Sequence, residues 1–340
     1  MPTILNGSQY MQAVLYTGTG ATQTISGLNF QPDFVWIKSR SAATDHKLTD
    51  SVRGVTKALI SDSTAAESTD TNGVTAFTSN GFTIGSDSVY NANGATYVAW
   101  CWKANGAAVS NTNGSITSQV SASTLSGFSV VTYSGTGSTA TVGHGLGVAP
   151  SMVIIKTRNT SNTNDWSTYH VSLGNGSRVF LCTTQASGAS GAWNSTSPTA
   201  SVFTVAGGYN ELNYAGNTYV AYCFAAIAGY SAFGSYTGNG STDGPFVYCG
   251  FRPRWLLVKR TDVANSWVLM DSSRSSFNYA DKILWPNLSD AEANGGTTTS
   301  IDFVSNGFKQ RGAGASINAS GGTYVYAAFC EVPMNFALAR

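Results

Sequence analysis

Thr96-Tyr-Val-Ala-Trp-Cys101, Thr218-Tyr-Val-Ala-Tyr-Cys223 and Thr323-Tyr-Val-Tyr-Ala-Ala-Phe-Cys330 are three versions of one phrase. Each is a short run of β-branched and aromatic residues, the composition of a strand rather than a helix. Two further phrases precede every copy, in the same order. One is a tyrosine with a glycine hinge: Tyr16-Thr-Gly-Thr-Gly20, Tyr133-Ser-Gly-Thr-Gly137 and Tyr236-Thr-Gly-Asn-Gly240. The other is a proline followed by an apolar run ending in lysine: Pro32-Asp-Phe-Val-Trp-Ile-Lys38, Pro150-Ser-Met-Val-Ile-Ile-Lys156 and Pro253-Arg-Trp-Leu-Leu-Val-Lys259. The tyrosines recur roughly every hundred residues, a domain-sized interval and far beyond the period of a solenoid.

The repeat predicts three tandem domains: 1–104 with a short N-terminal arm, 126–226, and 227–340 with a C-terminal tail from Pro333. A Gly/Ser/Asn-rich linker is expected at 105–125. Short apolar runs bounded by Gly, Asn and Ser predict an all-β chain, each unit an antiparallel, jelly-roll-like β-sandwich. Phe34-Val-Trp-Ile and its counterparts are continuously apolar, as in strands covered on both faces. Asn80-Gly81 and Asn306-Gly307 read as two-residue type I′ hairpin turns, and the second unit keeps a degraded copy at 201–208. The sequence leaves room for helix at 289–293, of one turn at most.

Composition narrows the function. Of 340 residues only 10% are charged, and 18 Lys+Arg against 17 Asp+Glu leave a formal charge of +1. Such a chain has no field with which to attract a polyanion, so nucleic acid is not an expected partner. No apolar run approaches the roughly 18 residues of a membrane span. The N-terminus shows no basic and apolar leader, so synthesis in a cytoplasm without export is expected.

Few residues are arranged for chemistry. Cys101, Cys223 and Cys330 fall at one place in the closing phrase and are expected to be buried thiols. Cys182 and Cys249 stand apart, and no spacing suits a metal. His46, His144 and His170 form no ligand pattern, and His144, between glycines, reads as a turn histidine bonded to backbone. Asp50-Ser-Val-Arg53 matches Asp271-Ser-Ser-Arg274, while the second unit has His170-Val-Ser-Leu173. These pairs read as structural ion pairs tying a loop to its sandwich. Glu67 and Glu292 recur in corresponding segments and so read as architectural, with Glu67 and Glu211 as the carboxylates to test for glycosidase chemistry. No cofactor is expected. Trp193, Tyr209 and Tyr214, in Gly/Asn/Ser-rich stretches, are the candidates for contact with a ligand or a neighbouring subunit. The 183–199 insert around Trp193 is expected to be an exposed loop that can be cut back without loss of folding. The second and third units, joined by only four residues, are expected to move as one body.

Phe30-Gln-Pro-Asp-Phe-Val-Trp-Ile-Lys38, Asp50-Ser-Val-Arg-Gly54, Ala95-Thr-Tyr-Val-Ala-Trp-Cys-Trp-Lys103 and His144-Gly-Leu-Gly-Val-Ala-Pro150 together resemble a family of repeat-bearing structural proteins of marine tailed bacteriophages. The resemblance covers nearly the whole chain and carries no catalytic residues. It implies a virion protein: a tail-associated fibre or receptor-binding component without catalysis, or a decoration or fibre of the head. A glycan-binding or glycan-degrading unit is the remaining alternative. The partners expected are copies of the chain itself, as a homotrimer, other virion proteins, and host surface glycan.

Overall fold

A computed structural model describes residues 4, 6–160 and 165–330. The expected tail from Pro333 and part of the N-terminal arm lie outside the described residues. Among the described residues the α-helices are single turns, Ser88–Asn91 and Ala315–Asn318. The 289–293 stretch is not helical and leads into the short strand Ala293–Asn294. The fold is all-β, and the sheets are antiparallel.

Four strands organise each of three blocks. The opening strands are Met11–Thr17, Phe128–Ser134 and Ser231–Thr237, and the closing strands are Thr96–Trp102, Thr218–Phe224 and Thr323–Cys330. The middle strands are Phe34–Ser39, Met152–Thr157 and Pro253–Arg260; their companions are Lys47–Asp50, Ser167–His170 and Val268–Asp271. In every block the closing strand lies between the opening and middle strands, and the companion pairs with the middle strand. The register sets Tyr16 opposite Tyr97, Tyr133 opposite Tyr219 and Tyr236 opposite Tyr324. These rings stack at 5.0, 5.0 and 4.9 Å, so the first and third sequence phrases meet in space.

A smaller sheet accompanies each large one: Gln23–Ser26 with Gly81–Ile84 and Val74–Thr78, Ala140–Gly143 with Val202–Val205, and Phe246–Tyr248 with Gly307–Gln310 and Ile301–Val304. In the first block, opening and closing strands are neighbours in one sheet, while the second and next-to-last strands pair in the other. That is how a jelly roll begins, but the hairpin of middle and companion strands then departs from it.

Strand alternation explains the apolar runs. Tyr97, Ala99 and Cys101 point toward the smaller sheet and a core containing Phe82 and Ile84. Val98, Trp100 and Trp102 point the other way, into a second core to which all three blocks contribute. The expectation of three separate tandem sandwiches is therefore corrected: the blocks are fused through their large sheets. At equivalent closing-strand positions, Trp102, Phe224 and Phe329 form a triangle of edge-to-face rings with sides of 6.1, 5.8 and 5.8 Å. A pseudo-threefold axis passes through it. Full burial of each such ring contributes about 1.5–3 kcal/mol. A void of about 10 Å³ remains beside the triangle, lined by Phe34, Met152 and Trp255 among others. Its lining is apolar, so a water there would lack the partners it needs.

Two other expectations change. The 105–125 stretch is not a free linker, because Val109–Asn111 and Ser118–Ser123 extend the second block's sheet to eight strands. The hairpin turns also shift by one residue. Thr78 pairs with Gly81 and Val304 with Gly307, so the two-residue loops are Ser79-Asn80 and Ser305-Asn306. None of these loop residues has the positive φ that type I′ demands. Gly81 is needed for another reason: a Cβ there would lie 1.8 Å from the Ile25 carbonyl oxygen.

Candidate functional site

The repeated polar residues converge on the seams between blocks. Asp50 begins a tight turn whose Val52 and Arg53 amides donate to its Oδ1, and Arg53 Nε donates to its Oδ2 at 2.5 Å. Both side chains are fully buried. Arg53 also donates to the Leu48 carbonyl, to Glu67 and to the Tyr222 hydroxyl of the second block, and Tyr222 in turn donates to Asp50 Oδ2 at 2.8 Å. The third block repeats this turn with Asp271, Arg274 and Glu292, and Trp100 Nε1 of the first block donates to Asp271 Oδ2 at 2.9 Å. Trp100 and Tyr222 occupy the same closing-strand position.

The remaining seam lacks that donor, because the equivalent residue in the third block is Ala327. His170 replaces the aspartate there, and its Nε2 lies 3.0 Å from the Tyr326 carbonyl oxygen. Burial pushes His170 down to about 4, so its ring is neutral at pH 7. The contacts run first block to second, second to third, and third to first. The ring closes.

Further groups follow the same cycle. Lys38, Lys156 and Lys259, next to last in the middle strands, donate to the carbonyls of Ser289, Thr64 and Thr184, each in a neighbouring block. Burial pushes each lysine down to about 8. Two residues along, Arg40 forms a bidentate pair with Glu292 and Arg158 with Glu67. Burial alone would raise Glu67, but the hydrogen bonds and charges of Arg158 and Arg53 outweigh it and hold the carboxyl low. In the seam between the second and third blocks Ser187 replaces the glutamate, donating from N and Oγ to the Thr261 carbonyl.

A third repeated group holds the glycine hinges, and sequence reasoning missed it. Asn91, Asn213 and Asn318 are buried. Their Oδ1 atoms accept from the amides of Thr19, Thr136 and Asn239, and their Nδ2 atoms donate to the carbonyls of Ala21, Ser138 and Ser241. The hinge needs both glycines: a Cβ at Gly18 would lie 2.1 Å from the Ala92 carbonyl oxygen, and Gly20 has φ 72°. The signal was present, since an Asn stands six residues before each closing tyrosine.

The expected contact residues separate. Trp193 is buried, its Nε1 donating to the Ser177 carbonyl and its ring edge-on to Tyr169, so it belongs to the second block's core and not to a ligand site. The insert around it is largely exposed, as expected, but Ala192 and Trp193 are buried in it and Ser187 ties it to the third block. Tyr209 is half-buried beneath the Arg178 guanidinium, 5.0 Å from its ring, and Arg178 pairs with Glu211. Only Tyr214 is exposed. Cys101, Cys223 and Cys330 are buried and none forms a disulfide. Cys330 is not equivalent to the other two: by the tyrosine register Ala328 takes their place, and Cys330 lies two residues further along the same face. His144 is a turn histidine, accepting from the Leu146 amide and contacting the Thr199 carbonyl.

Among the described residues no group of three or more His, Cys, Asp or Glu side chains is placed to hold a metal ion. No helix there is long and apolar enough to cross a membrane. Asp50 and Asp271 each accept four hydrogen bonds from guanidinium, backbone, and phenol or indole donors, and Glu67 and Glu292 each accept three from two arginines, an arrangement that fixes geometry. No curated protein matches the chain. The family described as Domain of unknown function (DUF7483) matches residues 6–333, all but the first five and last seven residues. The chain belongs to the DUF7483 family.

Proposed function

We propose that this protein is a non-enzymatic structural component of a bacteriophage particle, a tail-associated fibre or receptor-binding unit that contacts the host surface. The observation that carries the reading is where the repeated polar chemistry goes. Asp50–Arg53, Asp271–Arg274, the three lysines and the three asparagines are all turned inward and engaged with other protein groups. Glu67, Glu211 and Glu292, the carboxylates nearest to a hydrolase pattern, are each paired with arginine. A chain that spends its charges on shape is suited to passive mechanical or adhesive work. The phage assignment itself rests on the resemblance of the sequence phrases.

The expected homotrimer enters this reading in altered form. A ring of three closes within one chain, so association with further copies or with other virion proteins would use the outer surfaces. The test is immunogold labelling of particles released from a lysed host that carries the gene. Label at the tail supports the reading, label over the head replaces it with a decoration protein, and absence from purified particles rejects both.

A further inference from the structure

Exposed aromatic rings are unevenly distributed over the molecule. Phe246, Tyr248, Phe277 and Tyr279 are 48, 64, 84 and 52% exposed, and all belong to the third block. Phe246 and Tyr248 flank Val247, which points into the core, so both rings stand on the outer face of the small sheet. At the opposite edge of that sheet, the Asn278 side chain clasps the backbone of Phe303, and Ala280 bridges to Ile301. Phe277 and Tyr279 flank that clasp. Two strand spacings, about 10 Å, separate the outer strands.

The register shows what the other blocks carry at these places. Phe246 faces Lys309, where the first block pairs Thr24 with Thr83 and the second pairs Thr141 with Thr204. Tyr248 faces Gly307, where the first block has Ser26 opposite Gly81. The scaffold is thus served by small hydroxylated residues, and the third block replaces them with large rings that water must solvate. Between the rings run two ion pairs, Lys309–Asp243 at 2.6 Å and Arg311–Asp302 at 2.5 Å.

We propose that this outer face binds a neutral oligosaccharide, with sugar rings stacked on Phe246 and Tyr248, the chain continuing toward Phe277 and Tyr279, and hydroxyls hydrogen-bonded by Lys309, Asp302 and Arg311. Charge decides the class of ligand. A polyanion would meet Asp243 and Asp302, with Lys309 and Arg311 already paired and Arg252 donating to the Phe303 carbonyl. A packed protein partner would have to strip water from two ion pairs, at a cost exceeding their attraction unless every group found a new partner. A saccharide hydroxyl both donates and accepts, and therefore satisfies carboxylate and ammonium alike without displacing the ion pairs. The apolar face of the pyranose covers the exposed ring. This inference deepens the attachment reading by naming the chemistry of the receptor.

The experiment is affinity electrophoresis of the full chain through gels containing a β-glucan, a galactomannan or a xylan, with alginate as the polyanionic comparison. Retardation is expected in at least one neutral gel and not in alginate. The double substitution F246T/Y248S installs the first block's residues on an outward face and should weaken retardation by about tenfold or more, while Y214A leaves it unchanged. Circular dichroism of the double variant checks that folding is intact. Absence of retardation in every neutral gel, or equal retardation of the double variant, would overturn the proposal. So would a concentration-dependent dimer abolished by F246T/Y248S, which would assign the face to a second copy. Particle labelling is independent of these gels: saccharide binding by a protein absent from particles would overturn the attachment reading and leave the site standing.

Discussion

His170 stands where the other two seams have an aspartate, and that substitution gives the seam between the second and third blocks its own response to acid. The ring is buried, neutral and bonded to a backbone carbonyl, with its pKa lowered to about 4 from an ordinary 6.5. Above pH 6.5 the folded and unfolded chains both hold it neutral, and it contributes no pH dependence. Between 6.5 and 4 the unfolded chain takes up a proton that the folded chain refuses, so stability falls as pH falls. The loss attributable to this residue reaches about 3 kcal/mol by pH 4. His170→Gln should flatten that part of the acid limb, read as the change in urea midpoint between pH 7 and pH 4.5; an unchanged slope would contradict the assignment. Trp193 makes a second residue-scale prediction. Because it fills core, Trp193→Ala should cost about 3–5 kcal/mol in denaturant unfolding. A merely exposed contact residue would cost almost nothing.

At the scale of elements, the hinge turns depend on side chains standing in for backbone. Asn318→Ala would strand the Asn239 amide and the Ser241 carbonyl, for a loss of about 1–3 kcal/mol. Faster amide exchange at 238–241, with the large sheet still protected, is the expected signature. Much of this level was legible in the sequence. Strand type, the threefold recurrence and the burial of the closing phrase all follow from apolar runs, since a run covered on both faces has no polar positions. The hairpins were placed one residue off because Asn-Gly suggests positive φ, whereas Gly81 and Gly307 are selected by contact with a neighbouring carbonyl. Distance along the chain hid the seams. Asp50 and Tyr222, or Trp100 and Asp271, are more than 170 residues apart, and a local reading sees an ion pair where the structure has a four-membered junction. Trp193 misled for a related reason: a loop-like composition surrounds it, yet one indole outweighs that composition once a hydrophobic slot is available.

For the whole molecule, the fused core predicts one cooperative unfolding event. Calorimetry should show a single transition with equal calorimetric and van't Hoff enthalpies, where three independent domains would give separable ones. Phe224→Ala, at the axis, should lower stability by about 3–5 kcal/mol and keep the transition single. The loss of one block alone would refute the shared core. The axis has a further consequence, which concerns mass action. A ring assembled from three separate chains comes apart on dilution, because its stability contains a concentration term. Here the Trp102, Phe224 and Phe329 rings are joined by covalent chain, and their encounter is governed by an effective concentration that dilution leaves untouched. The melting temperature should therefore be the same at nanomolar and micromolar protein. Three positions encoded once each, rather than one encoded position used three times, are also free to diverge. A threefold scaffold can then carry aromatic rings on a single side and present a polar, directional surface in place of a symmetric one.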